Sequence, residues 1–75
     1  TMLYDLPETG HTRLIIYDLL GREVQVLIDK VMNPGYYSTQ WNGRNQQGQT
    51  VGAGVYLYQI QSNGFIQTHK MLLLK

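Results

Sequence analysis

Residues 55–74, VYLYQIQSNGFIQTHKMLLL, contain the strongest fold signal in the sequence. Over 55–61, Tyr56, Tyr58 and Ile60 fall on alternate positions, which is typical of a β-strand with one buried face. A second strand-like run covers 65–74. The runs are joined by Ser62-Asn63-Gly64, and an Asn-Gly step is a turn that β-hairpins favour. The stretch therefore predicts an antiparallel hairpin.

Three more strand-like segments precede this hairpin, at Met2–Pro7, Thr12–Asp18 and Tyr36–Trp41, and a polar loop covers 42–54. Together with the segment at 22–31, short strands separated by turn signals predict an all-β sandwich. A chain of 75 residues is long enough for one domain, so we assign 1–75 to a single unit. Alternation predicts one structural core, formed by Leu14, Ile16, Trp41, Tyr56, Tyr58 and Ile60.

Residues 22–31 give two conflicting signals. The apolar side chains of this region recur at the spacing of an amphipathic helix, at Leu20, Val24, Leu27, Ile28 and Val31. The segment is also rich in β-branched residues, which favour a strand. The pattern alone therefore supports helix and strand equally.

Composition and charge exclude several classes of function. The chain has no cysteine, which removes disulfides, zinc–thiolate sites and thiol nucleophiles. All five carboxylates lie within residues 1–29, and residues 30–75 contain four cations and no carboxylate. Four cations over that length are too sparse to follow a phosphate backbone, so we expect no nucleic-acid partner. No apolar run approaches the length that crosses a bilayer, so we expect no transmembrane segment.

The sequence offers no convincing catalytic, cofactor or metal site. His11 and His69 are the only histidines, and no metal-binding motif relates them. The loop 42–48 resembles a calcium loop in outline but supplies no carboxylate, so its asparagines are expected to form local turns. Neighbouring strands could bring Asp5 and Asp18 together, but a domain this small has little room for a cleft between them. We therefore predict no enzyme activity, no cofactor and no metal.

Five aromatic residues allow two interpretations. They could form a flat platform that stacks on sugars, or they could fill the core of the sandwich. Their alternation along the predicted strands favours the core. The residues are Tyr36, Tyr37, Trp41, Tyr56 and Tyr58.

The last six residues do not follow the pattern of a solvated edge strand. Such a strand should alternate, but here four consecutive apolar residues lie between two lysines. The run indicates either burial on both faces, as in a central strand, or a partner that binds this end of the domain. The candidate recognition residues are Lys70, Met71, Leu72, Leu73, Leu74 and Lys75.

Several motifs occur together in one order. They are YDLPETG at 4–10, LIIYDLLGREV at 14–24, WNGRNQQG at 41–48 with GVYLY at 54–58, and the lysine-bracketed run at 70–75. Over essentially all 75 residues the chain resembles the type A C-terminal sorting domain of type IX secretion cargo. That domain is related to the Ig-like domain of the flagellar hook-capping protein.

The resemblance implies an Ig-like antiparallel β-sandwich of six to seven short strands, with a strand rather than a helix at 22–29. Members of the family usually have Asp-Gly where this chain has Asn42-Gly43, a mild change because asparagine serves the same turn. They also have an upstream segment with an Asn-Pro motif. This sequence lacks that segment, which implies that the first strand is missing here. An open sheet edge would then favour strand-paired dimers.

The same resemblance implies a function. Such domains are folded signals at the C-terminus of secreted proteins, recognised by the type IX outer-membrane translocon. The expected partners are this secretion machinery and a parent cargo domain on the N-terminal side, and the expected location is secreted or cell-surface, reached through the periplasm. The sequence leaves two alternatives open: a structural Ig-like spacer or assembly module, and a carbohydrate-binding module attached to a secreted enzyme.

Overall fold

The computed structural model describes residues 1–74, which form six β-strands and no helix. The strands are β1 (Met2–Leu6), β2 (Gly10–Tyr17), β3 (Glu23–Met32), β4 (Gly35–Thr39), β5 (Gly54–Ser62) and β6 (Phe65–Leu73). They are arranged in two antiparallel sheets, one of order β1-β4 and one of order β3-β2-β5-β6. The predicted all-β, Ig-like sandwich is confirmed.

Strand pairing separates the two carboxylates that the sequence could have brought together. β1 pairs with β4, so Asp5 lies opposite Tyr36 in the two-stranded sheet. Asp18 follows β2, which belongs to the four-stranded sheet. The hypothetical Asp5–Asp18 pair is therefore wrong, because β1 and β2 are not neighbours in one sheet.

The core lies between the inner faces of the two sheets. Of the six predicted core residues, five are buried in one cluster, and Tyr56 is partly buried and packs against it. The prediction omitted part of the cluster, contributed by alternate residues of β1 and by the end of β3. The omitted members are Met2, Tyr4, Leu6 and Met32.

Strand β3 explains the helix-like spacing of its apolar residues. Its pairing with β2 has two register shifts, one between the partners of Leu14 and Ile15 and one between those of Ile16 and Tyr17. Each β-bulge inserts an extra residue and breaks the two-residue alternation. As a result Val24, Leu27 and Ile28 all pack against the core from a strand, at intervals that resemble one face of a helix.

A tight hairpin joins β5 to β6. Asn63 and Gly64 have φ values of 50° and 75°, as a type I′ turn requires, and Ser62 and Phe65 form the pair next to the turn. The Asn63 amide also donates a hydrogen bond of 2.7 Å to the carbonyl oxygen of Thr9. The tip of the hairpin is thereby attached to the β1–β2 turn.

Candidate functional site

Strand β6 lies at an edge of the four-stranded sheet. It pairs with β5 over nine residues without a register shift. Within residues 1–74 it has no strand on its other side. Of the two interpretations of the apolar run, the central-strand one is therefore wrong, and the free edge of β6 is the candidate functional site.

The hairpin turn determines which backbone groups of β6 are free. In a two-residue hairpin the pair next to the turn exchanges both of its hydrogen bonds, and such pairs recur at every second residue. The backbone groups of Phe65 and of every second residue after it therefore point toward β5. Those of Ile66, Thr68, Lys70 and Leu72 point away from β5, so four N–H and four C=O groups are directed at the unpartnered edge.

The side chains of the candidate recognition segment divide between the two faces of β6. Met71 and Leu73 are partly buried against the core. The isobutyl group of Leu73 also lies next to Gly43, where an added Cβ would be 3.4 Å from it. Lys70 is exposed on the opposite face. Lys75, the last of the predicted recognition residues, lies outside the described part of the chain.

The outer face of this end of the sheet exposes apolar surface. Leu72 is 60% exposed and pairs across the strands with Val55, which is 42% exposed. Leu74, which follows β6, is 77% exposed. We call Val55, Leu72 and Leu74 the C-terminal patch. Burial of the run on both faces is therefore wrong, because only Met71 and Leu73 contact the core.

The opposite edge of the same sheet is protected. Strand β3 has two bulges, and the loop after β4 covers part of its edge: the Gln46 N–H donates to the Val24 carbonyl at 3.2 Å. The Gln25 side chain in turn donates to the Asn45 carbonyl at 3.0 Å. Two charged residues, Asp29 and Lys30, lie further along the strand. Bulges, charges and covering loops are common ways of preventing edge pairing, and β6 has only one charge and no bulge.

The loop after β4 is held by turn hydrogen bonds. The side-chain oxygen of Asn42 accepts from the Arg44 N–H at 3.1 Å. That of Asn45 accepts from the N–H groups of Gln47 and Gln49, each at 3.0 Å. The oxygens that gave this loop its likeness to a calcium loop therefore close local turns, as the sequence predicted.

The five aromatic residues do not form a flat platform. Trp41 and Tyr58 are buried, and Tyr37 and Tyr56 are partly buried against the core. Only Tyr36, which is 91% exposed, has a free ring. The core interpretation of these residues fits the structure, apart from Tyr36.

Titratable groups are scattered rather than clustered. Within residues 1–74 no three His, Cys, Asp or Glu side chains lie close enough to hold a metal ion. His11 contacts Asp29 on the outer face, and His69 packs on the ring of Tyr58 with ring centres 5.2 Å apart. In the β2–β3 turn, the Asp18 carboxylate accepts three hydrogen bonds. The donors are the backbone N–H and the guanidinium of Arg22 and the backbone N–H of Leu20. These hydrogen bonds hold the pKa of the Asp18 carboxyl below its usual 3.8.

Comparison with known proteins supports the fold. The family model described as the FlgD Ig-like domain matches residues 3–64. This match confirms the predicted relation to the Ig-like domain of the flagellar hook-capping protein. The chain has no significant match among curated proteins or solved structures. Residues 1–74 contain no helix that could cross a membrane. The role as a type IX sorting signal stays a prediction.

Proposed function

We propose, on the premise that this chain belongs to the FlgD Ig-like domain family, that it is a non-catalytic sorting domain recognised by the type IX outer-membrane translocon. Membership of the family supports a structural Ig-like module. The observation that carries the more specific proposal is the free edge of β6 next to the C-terminal patch. This edge combines unpaired backbone groups with exposed apolar side chains, within the lysine-bracketed run 70–75.

Recognition would proceed by strand addition. In this mode a receptor strand forms main-chain hydrogen bonds with an exposed edge, and pockets for alternate side chains provide specificity. The free N–H and C=O groups of β6 supply the hydrogen bonds. Leu72 and Leu74 supply exposed apolar groups, and Lys70 adds a positive charge at one side of them.

This function implies a location and a molecular context. The domain would be attached to a cargo domain on its N-terminal side and would reach the cell surface or the medium through the periplasm. The free energy of binding would come from hydrogen bonds and apolar contacts at the edge of β6, and no chemical reaction would be involved.

The proposal is tested by export of a passive periplasmic reporter that carries this domain in a type IX-competent host. Leu72→Ser with Leu74→Ser removes the exposed apolar groups, and both side chains lie outside the core cluster. The matched control is Ile66→Ser, which is 61% exposed on the same strand but at the hairpin end. We expect export to fail for the double variant and to continue for the control, with both proteins folded by circular dichroism.

A second pair of substitutions examines the lysines. Lys70→Ala with Lys75→Ala removes two positive charges. Lys70 is exposed, and a surface change of this kind alters stability by only about 0.5 kcal/mol. A defect in export would therefore reflect recognition. Normal export of both folded double variants, Leu72→Ser/Leu74→Ser and Lys70→Ala/Lys75→Ala, would overturn the proposal.

A structural spacer or assembly module is the second candidate, and the family match favours it directly. The full-length open reading frame distinguishes the two functions. A sorting signal must end the protein, whereas a spacer is followed by further domains. A gene that continues into another domain after Lys75 would support the spacer.

A further inference from the structure

The free edge of β6 is complementary to itself. We propose that a second copy of this chain pairs with it, β6 to β6, in an antiparallel arrangement with the two-fold axis at His69. The two four-stranded sheets would then join into one continuous sheet of eight strands. This inference does not depend on the proposed function, although self-pairing and receptor binding would compete for one edge.

The backbone allows this register. In an antiparallel pair, two residues exchange hydrogen bonds only if the backbone groups of both point into the shared edge. An axis at His69 places Ile66 opposite Leu72 of the second copy and Thr68 opposite Lys70 of the second copy. All four are residues of β6 whose N–H and C=O groups point away from β5.

The side chains favour this register over its neighbours. Ile66 and Leu72, 61% and 60% exposed, would cover each other on the outer face, and each lysine would face a threonine. An axis at Lys70 would instead place the two lysines opposite each other. An axis at Thr68 would place Lys70 opposite Ile66. Of these three registers, only the axis at His69 pairs apolar with apolar and separates the like charges.

The symmetry of the contact limits the β6-to-β6 assembly to two copies. Bulges and the loop after β4 protect β3, so the other edge of the four-stranded sheet is less available for pairing than β6. The contact uses the same surface on both partners, which closes the assembly as a two-fold dimer. A filament would require two different free edges.

Single cysteines test the register, since the chain contains none of its own. One cysteine is placed in turn at positions 67, 68, 69, 70 and 71, and disulfide-linked dimers are measured under mild oxidation. At 69 the two Cα atoms would be about 4.5 Å apart, a distance that suits a disulfide. At 68 or 70 the two cysteines are offset by two residues, roughly 7 Å along the strand, and at 67 or 71 by twice that. We expect the yield to peak at His69→Cys. A peak at another position, equal yields throughout or no cross-linking would overturn the register.

A proline substitution tests edge pairing in the native chain by sedimentation equilibrium. The Thr68 N–H points to the free edge, so Thr68→Pro removes an intermolecular donor without removing a hydrogen bond to β5. Thr68→Ala is the matched control, because it also loses the hydroxyl contact with Gln59 but keeps the N–H. We expect the proline variant to raise the dimer dissociation constant about tenfold or more, because two hydrogen bonds related by symmetry are lost. The alanine variant should change it by roughly threefold or less.

Two outcomes would refute the dimer. One is a native chain that stays monomeric up to roughly millimolar concentration, where even a weak complex forms. The other is an equal effect of the proline and alanine variants while both remain folded. These measurements use the purified chain alone, so a failure here would leave the export experiment unaffected.

Discussion

Replacement of Trp41 tests how much of the stability depends on one side chain. Trp41 is only 9% exposed, and its ring meets that of Tyr56 edge to face with centres 5.0 Å apart. Burial of an aromatic side chain removes about 150–250 Å² from water, which at about 25 cal/mol/Å² corresponds to about 4–6 kcal/mol. Measured losses for Trp→Ala in cores are about 3–5 kcal/mol, and we expect Trp41→Ala to fall in that range. A domain of 75 residues has a total stability of roughly 4–11 kcal/mol, so this one substitution should remove a large fraction of it.

A second variant separates the ring from its hydrogen bond. The Trp41 indole N–H donates to the carbonyl oxygen of Arg44 at 2.9 Å. Trp41→Phe keeps an aromatic ring in the core but removes this donor, and the carbonyl then keeps only the 3.5 Å contact with the Gln25 side-chain amide. Loss of such a hydrogen bond costs about 0.5–1.5 kcal/mol, so this variant should lie between the native protein and Trp41→Ala.

Urea unfolding followed by far-UV circular dichroism measures these changes, since both variants lack the tryptophan fluorophore. Tyr36→Ala is the control, because a ring that is 91% exposed should contribute within about 0.5 kcal/mol. A loss of less than about 1 kcal/mol for Trp41→Ala would show that the core does not depend on this ring. Such a result would contradict the packing described above.

Three further predictions concern the turn, the buried polar pair and β6. Because hydrogen bonds hold the pKa of Asp18 below 3.8, its carboxylate should stabilise the fold above about pH 4. That contribution should be lost as the pH falls through the lowered pKa. The free energy of unfolding, measured as a function of pH, should fall less on acidification in Asp18→Asn than in the native chain. Thr12 and Ser62 are buried, and the Thr12 hydroxyl donates a hydrogen bond of 3.0 Å to the Ser62 hydroxyl oxygen. Thr12→Val should therefore lower the free energy of unfolding by about 1–3 kcal/mol. In a double-mutant cycle, adding Ser62→Ala should restore part of that loss. Leu73→Ala should lower the free energy of unfolding, measured in urea, by about 2 kcal/mol, as for a partly buried leucine. Leu72→Ala should leave it nearly unchanged.

Most strands could be predicted because they show a regular local pattern. In β1, for example, Met2, Tyr4 and Leu6 alternate with exposed residues, and the burial of the strand follows that alternation. The same pattern shows that these residues belong to the core, although the prediction omitted them. Strand β3 was ambiguous because its two bulges change which side chains face inward. A bulge depends on the partner strand, so the sequence of β3 alone does not reveal it.

The position of β6 could not be predicted for a related reason. The apolar run 71–74 is compatible with a central strand or with an edge strand that binds a partner. The choice depends on whether another strand lies beside β6, and in this fold β1 pairs with β4 and not with β6. Pairings of this kind join segments far apart in sequence, and local patterns do not encode them. The buried Thr12–Ser62 pair was missed similarly, because its members are 50 residues apart.

The pairing of β2 with β5 has a consequence for the order of folding. β2 ends at Tyr17 and β5 begins at Gly54, so the four-stranded sheet cannot close until most of the chain is present. Before that point, the chain can form the β2–β3 hairpin, but the core still lacks Tyr58 and Ile60. Contacts between distant segments form slowly, since the chain between them must first be ordered. During synthesis, or during passage through a narrow channel with the N-terminal end leading, the domain therefore stays open until β5 emerges.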